Sequence, residues 1–157
     1  MAEPITKDEI KHLILEWGRL HDDHAPAAAY KDLIADAGFA MRMGTHEWTG
    51  LPGLEAHEAM KQQFFDEAHL FNSIELVAAS EKEAEAKSVV TWEASRREEA
   101  APRSIRIKAV IQHTWRFIRS ARTGKPVIQQ HIVDKFAYLP GFAPPQPIPS
   151  APHLDPI

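Results

Sequence analysis

The chain has 157 residues, twelve prolines, no cysteine and a formal net charge of −4. That length suits one domain with a real core. The missing cysteines exclude disulfides, thiol nucleophiles and thiolate metal sites, and the negative balance argues against a general nucleic-acid binder, which must neutralise many phosphates. No apolar run approaches a membrane span and no charged, then apolar start resembles a secretory signal, so no membrane partner and a cytoplasmic location are expected.

Thr6 followed by Glu9 forms a capping box, which predicts a helix start. Ile10, Leu13, Ile14, Trp17, Leu20 and His21 then recur at three- and four-residue spacing, one apolar stripe on a long first helix that ends near His24. Pro26 opens a second, shorter helix over 27–35. Phe39, Met41 and Met43 alternate as a short strand, with His46–Thr49 as its hairpin partner. Gly50-Leu51-Pro52-Gly53 breaks the chain, and 54–65 reads as a third helix.

From there the period becomes that of strands. Ile74, Leu76 and Ala78 mark one strand, 86–97 a second, and 98–103 a loop. Seven of the twelve prolines fall in 140–157, a tail that cannot continue a sheet. The expected architecture is therefore an α+β domain over residues 1–139, with three helices and about six strands in an antiparallel sheet, followed by a proline-rich tail over 140–157.

The longest pattern runs from Ser104 to Tyr138. Ile105, Ile107, Ala109, Ile111, His113, Trp115 and Phe117 share one parity, which predicts a strand with one buried face carrying His113. After the turn, Ile128, Gln130, Ile132, Asp134, Phe136 and Tyr138 form the more apolar parity, leaving His131 on the wet one. A tight turn centred on Thr123-Gly124 sets Arg122 against Lys125. That register places Ile111 by Phe136, Trp115 by Ile132, and His113 directly opposite Asp134.

In this order the elements resemble the nuclear transport factor 2-like superfamily, in its SnoaL-like branch of small cyclases, isomerases and dehydratases. The resemblance rests on the capped first helix with Trp17, on Gly53-Leu54-Glu55-Ala56 opening the third helix, on His69-Leu70-Phe71-Asn72 before a strand, and on Thr123-Gly124-Lys125 followed by a strand ending in Asp134. It implies a cone-shaped curved sheet wrapped around the long N-terminal helix, an apolar pocket, and a homodimer formed through the outer sheet face. The chain departs from many relatives between the first two helices, where it carries Ala27-Ala28-Ala29-Tyr30 instead of an acidic residue and a tryptophan. A catalytic carboxylate is therefore not expected from that loop.

The candidate site follows from both lines. A carboxylate beside an imidazole in a water-poor pocket fixes its tautomer and raises its basicity, so His113 and Asp134 are the candidate acid–base pair; the alternative is a buried polar pair that only fixes strand register. The resemblance to scytalone-dehydratase-like members adds His69 as a pocket histidine. Trp17, Tyr30, Trp48, Phe65, Trp92 and Trp115 are candidate substrate-lining residues. His21-Asp22-Asp23-His24 sits at a helix end with no third distant ligand implied. No metal and no cofactor are expected. The resulting expectation is a cofactor-independent lyase, dehydratase or isomerase for a small apolar or cyclic molecule; the alternative is a non-catalytic ligand-binding or dimerisation module of the same fold.

Overall fold

The computed structural model describes residues 3–97 and 103–145. Two α-helices, α1 (Lys7–Asp22) and α2 (Gly50–Lys61), accompany six strands. These are β1 (Ala40–Met43), β2 (His46–Thr49), β3 (Phe64–Ala79), β4 (Glu83–Arg97), β5 (Ser104–Arg119) and β6 (Pro126–Tyr138). They form one curved open sheet in the order β2-β1-β6-β5-β4-β3. The sheet is mixed, because β1 runs parallel to β6.

The capping box forms: Thr6 Oγ1 accepts from the Glu9 N–H at 3.2 Å, and Glu9 Oε1 accepts from the Thr6 N–H at 3.0 Å. The apolar stripe of α1 is buried, with Ile10 and Ile14 fully enclosed. Gly18 brings α1 close to β3, since a Cβ there would stand 2.8 Å from Phe71 Cε2. Among the described residues no helix is long and apolar enough to cross a membrane.

Three expectations change. The second helix is a single 3-10 turn over Ala27–Tyr30, so the described residues hold two α-helices and not three. Helix α2 begins at Gly50, with Pro52 in its first turn where a missing N–H costs nothing. It ends at Lys61, and β3 starts ten residues before Ile74. The loop expected over 98–103 and the tail beyond Pro145 lie outside the described residues, apart from Arg103.

The β5–β6 register is the largest correction. The connection is a six-residue loop, with Arg119 paired to Pro126, the Ser120 N–H donating to the Lys125 carbonyl at 2.8 Å, and Gly124 at φ +72°. Two bulges on β6 then absorb the offset, because Gln129 and Asp134 have no partner on β5. Each bulge adds one residue and reverses the side-chain parity beyond it. Ile111 does pair with Phe136, but Trp115 pairs with His131 and His113 with Val133. Between the bulges His131 and Val133 face the core, not Ile132 and Asp134.

Candidate active site

A cavity of about 820 Å³ opens inside the sheet. Its wall draws on both apolar clusters: Trp17, Trp48 and Trp115 from the one around α1, and Phe64, Trp92 and Ile111 from the one between β3, β4 and β5. Five histidines, His21, His57, His69, His113 and His131, also line it. Pro144 and Pro145, after β6, reach the wall as well.

His69 is placed by β3, where Glu67, His69 and Phe71 line the cavity in alternation. Asp22 is the last residue of α1, and the close approach at Gly18, one turn earlier, sets the two elements side by side. The Asp22 carboxylate grips His69 twice: Oδ1 lies 2.5 Å from Nδ1, and Oδ2 accepts the His69 backbone N–H at 3.1 Å. An ionised carboxylate only accepts, so the His69 proton belongs on Nδ1 and the lone pair on Nε2. This is the His–carboxylate arrangement that acid–base chemistry uses.

His113 faces inward as the strand pattern requires and is 5% exposed. Its Nδ1 lies 3.3 Å from Ser88 Oγ, which also accepts the Trp115 indole N–H at 2.8 Å. The His131 ring stands 4.6 Å from that of His113 and 4.5 Å from that of Trp115. Burial lowers the pKa of His113 to about 3 and of His57 to about 3, and holds His21 and His131 well below the usual histidine value. These four rings are therefore neutral at ordinary pH. Among the described residues, Nε2 of His21, Nδ1 of His57 and Nδ1 of His131 are fully buried without a hydrogen-bond partner.

A second polar group closes the wall between α1, α2 and β3. Lys61 Nζ donates to the His21 carbonyl at 2.7 Å and lies 3.2 Å from His21 Nδ1 and 3.3 Å from Glu67 Oε2. Glu67 Oε1 accepts the Trp92 indole N–H at 2.9 Å. His24, at φ +51°, turns its ring between Glu58 Oε1 at 3.0 Å and Glu67 Oε2 at 2.5 Å; the latter contact lies outside hydrogen-bond angles. The four side chains of 21–24 thus diverge: His21 toward Lys61, Asp22 toward His69, Asp23 toward Arg19, and His24 toward the two glutamates.

The structure brings His69 and His113 to one cavity but leaves Asp134 out. Asp134 is exposed on the opposite side of β6, where it accepts the Thr114 hydroxyl at 2.6 Å. The bulge at Asp134 is the cause. Phe65 also points away, with the Arg97 guanidinium 4.8 Å from its ring centroid; a backbone reversal at Asp66, φ +49°, puts Phe64 on the wall instead. Tyr30 is buried behind Trp17 and His21, 5.1 Å from each ring, and is not on the wall. Trp17, Trp48, Trp92 and Trp115 do line the cavity.

His131, His21, His57 and Lys61 on the cavity wall, and Asp22 behind His69, are groups that sequence reasoning did not assign. The alternation of Glu67, His69 and Phe71 was a readable signal that β3 begins earlier. The bulges of β6 had no comparable signal.

No family model matches the sequence, and no curated protein matches it. Solved structures do match. A proposed scytalone dehydratase from Novosphingobium aromaticivorans DSM 12444 superposes with a TM-score of 0.67 at 13% identity, over 96% of this chain and 91% of that one. A hexachlorocyclohexane dehydrochlorinase, LinA-type3 from Novosphingobium barchaimii LL02, gives 0.65 at 18%, over 88% and 94%. An NTF2-like protein with a cystatin-like fold from Novosphingobium aromaticivorans gives 0.59 at 20%, over 86% and 82%. With its curved six-stranded sheet, capped first helix and cavity, the chain has an NTF2-like fold.

Proposed function

We propose that the protein is a cofactor-independent lyase or isomerase that moves a proton on a small, largely apolar cyclic substrate, with His69 as general base and Asp22 as its orienting carboxylate. The observation that carries this reading is the two-point grip of Asp22 on His69 at the wall of an aromatic cavity. A bound carboxylate fixes the tautomer that leaves Nε2 free to take a proton and stabilises the imidazolium formed. Trp17, Trp48, Trp92 and Trp115 supply apolar faces for a ring, and His113 a neutral polar contact. Two structural neighbours are named as a hexachlorocyclohexane dehydrochlorinase and a proposed scytalone dehydratase; loss of HCl or of water takes a proton from the substrate, which is the step a general base would serve here.

The test is a panel of ring ketones followed for deuterium uptake in heavy water, and of chlorocyclohexanes followed for chloride release. Turnover that disappears in His69→Ala supports the reading. Binding of panel members with no chemical change by the intact protein contradicts it and favours a ligand-binding module.

A further inference from the structure

The strand ladder sets one row of side chains across the cavity. His69 on β3 pairs with Trp92 on β4, Trp92 with Ala109 on β5, and Ala109 with Tyr138 on β6. Residues directly opposite on neighbouring strands share a face, and His69, Trp92 and Tyr138 all line the cavity. Ala109 is fully buried and puts only a methyl group between Trp92 and Tyr138 in that row. The row is therefore polar at both ends and apolar in the middle. In the adjoining row on the same face, Phe71, Val90, Ile111 and Phe136 carry no polar side chain.

Tyr138 is the polar end that the acid–base reading leaves unused. Its ring is steadied by Phe136, edge to face at 4.9 Å. Among the described residues its hydroxyl has no hydrogen-bond partner, and unlike the sealed Tyr30 hydroxyl it keeps accessible surface. Burial raises the pKa of the phenol against the opposing influence of Arg96, so the group is a neutral O–H donor. Beyond it the chain reverses. The Phe142 N–H donates to the Leu139 carbonyl at 3.0 Å, Gly141 sits at φ +83°, and Pro144 and Pro145 return to the cavity wall. The hydroxyl thus stands beside an apolar stretch of wall.

Three strand spacings separate the Cα atoms of His69 and Tyr138, roughly 14 Å along the sheet. Both side chains reach inward from a concave face, so a ligand that touches both needs about the length of two linked six-membered rings. The exposed Arg42, also on the wall, pairs with Ile132 on β6, roughly 20 Å along the strand from Tyr138. Arg96 is the cation that acts on the phenol, so an anionic group at this end would answer to Arg96 and a neutral oxygen to Tyr138.

We propose that Tyr138 determines specificity at the end of the cavity remote from His69, its hydroxyl donating to a hydroxyl or ether oxygen at the far end of an elongated ligand. The inference rests on the cavity being the ligand site, and it deepens the acid–base reading by naming the length of the ligand and the group at its distal end. A tyrosine that only packs against Phe136 would be replaced by phenylalanine with no change in which ligand binds.

The test uses 4-(4-hydroxyphenyl)cyclohexanone, its 4-methylphenyl analogue and its 4-carboxyphenyl analogue as probes on the full chain. The ratio of the methyl probe's Kd to the hydroxyl probe's Kd should fall by about three- to tenfold in Tyr138→Phe, with the melting temperature unchanged. The chain has two tyrosines, so ¹³C at tyrosine Cζ gives two signals. That of Tyr138 should move with the hydroxyl probe and not with the methyl probe. A ratio unchanged in Tyr138→Phe, a Tyr138 signal that answers both probes alike, or no binding of any probe overturns the proposal. So does a carboxylate probe that binds more tightly than the hydroxyl probe and keeps its affinity in Tyr138→Phe, which assigns this end to Arg96. If Tyr138→Phe does not fold, the signals of the unmodified protein decide. His69→Ala separates the two readings: it should abolish deuterium uptake by the hydroxyl probe yet keep the ratio.

Discussion

Asp22 and His69 lie 47 residues apart in the chain, yet their side chains meet at 2.5 Å. The contact joins the last residue of the capped helix α1 to the first half of the edge strand β3. Glycine at position 18 is what lets the two elements come that close. If this pair carries the chemistry, conservative changes at it should separate catalysis from folding.

In Asp22→Asn the amide keeps the shape and removes the charge. Turnover on any reactive panel substrate is expected to fall by about two to four orders of magnitude. Ligand affinity should change little, as measured by titration, and the melting temperature should drop by only a few degrees, because the aspartate side chain is partly exposed.

Asp134→Asn provides the contrast. Its carboxylate is exposed and bonds to Thr114 on the far side of β6, so turnover should stay within about twofold and stability within about 0.5 kcal/mol. Steady-state rates and urea unfolding check both. A loss equal to that of Asp22→Asn would mean that Asp134 reaches the cavity in solution.

Acid should unfold the protein through its buried histidines. His113 and His57 have folded pKa values lowered to about 3 by burial, whereas in the unfolded chain they titrate near 6.5. Above about pH 6.5 both states are neutral and nothing is lost. Between about 6.5 and 3 the unfolded state binds the extra proton, so each such ring removes about 1.4 kcal/mol of stability per pH unit. Urea midpoints at pH 8, 6 and 5 should therefore fall steeply below pH 6, and His113→Leu should flatten that slope by one proton.

Gly53→Ala should loosen the Trp48 side of the wall. A Cβ there would stand 2.7 Å from the Trp48 carbonyl carbon, which is backbone and cannot swing aside. The overpacking costs about 1–3 kcal/mol and the better helix propensity of alanine returns less than about 1 kcal/mol. A net loss of stability is expected in thermal melts, with quenching or shift of the Trp48 fluorescence.

Much of the fold was legible because its signals are local. The Thr6 to Glu9 box and the stripe from Ile10 to Trp17 fix α1, and the alternation from Ile105 to Phe117 fixes β5 and the inward turn of His113. The β1–β2 hairpin also followed from alternation, with Met43 against His46. What failed depended on non-local geometry. The Thr123-Gly124 pair predicts an even-length loop centred on itself, but Ser120 Oγ accepts the backbone N–H groups of Arg122 and Thr123 at 3.2 and 3.3 Å, and the loop over 120–125 is centred one residue earlier. The bulges at Gln129 and Asp134 then restore the register near Phe136 while reversing the stretch between them. That exchange brought His131 in and sent Asp134 out.

The carboxylate partner was misplaced for a related reason. The sequence offers His21-Asp22-Asp23-His24 as one run of polar residues, and only the helix end and the path of β3 reveal that each points to a different partner. The histidine expected from the family resemblance, His69, is on the cavity wall. Its carboxylate comes from the end of α1, before the alanine-rich turn.

In the proposed function His69, oriented by Asp22, takes a proton from a ligand in the cavity. Deuterium uptake by a ring ketone that binds the protein, followed by mass spectrometry in heavy water, tests it most directly. Uptake is expected with the unmodified chain and with Asp134→Asn, and background rates with His69→Ala and Asp22→Asn. Uptake that persists undiminished in His69→Ala would contradict it.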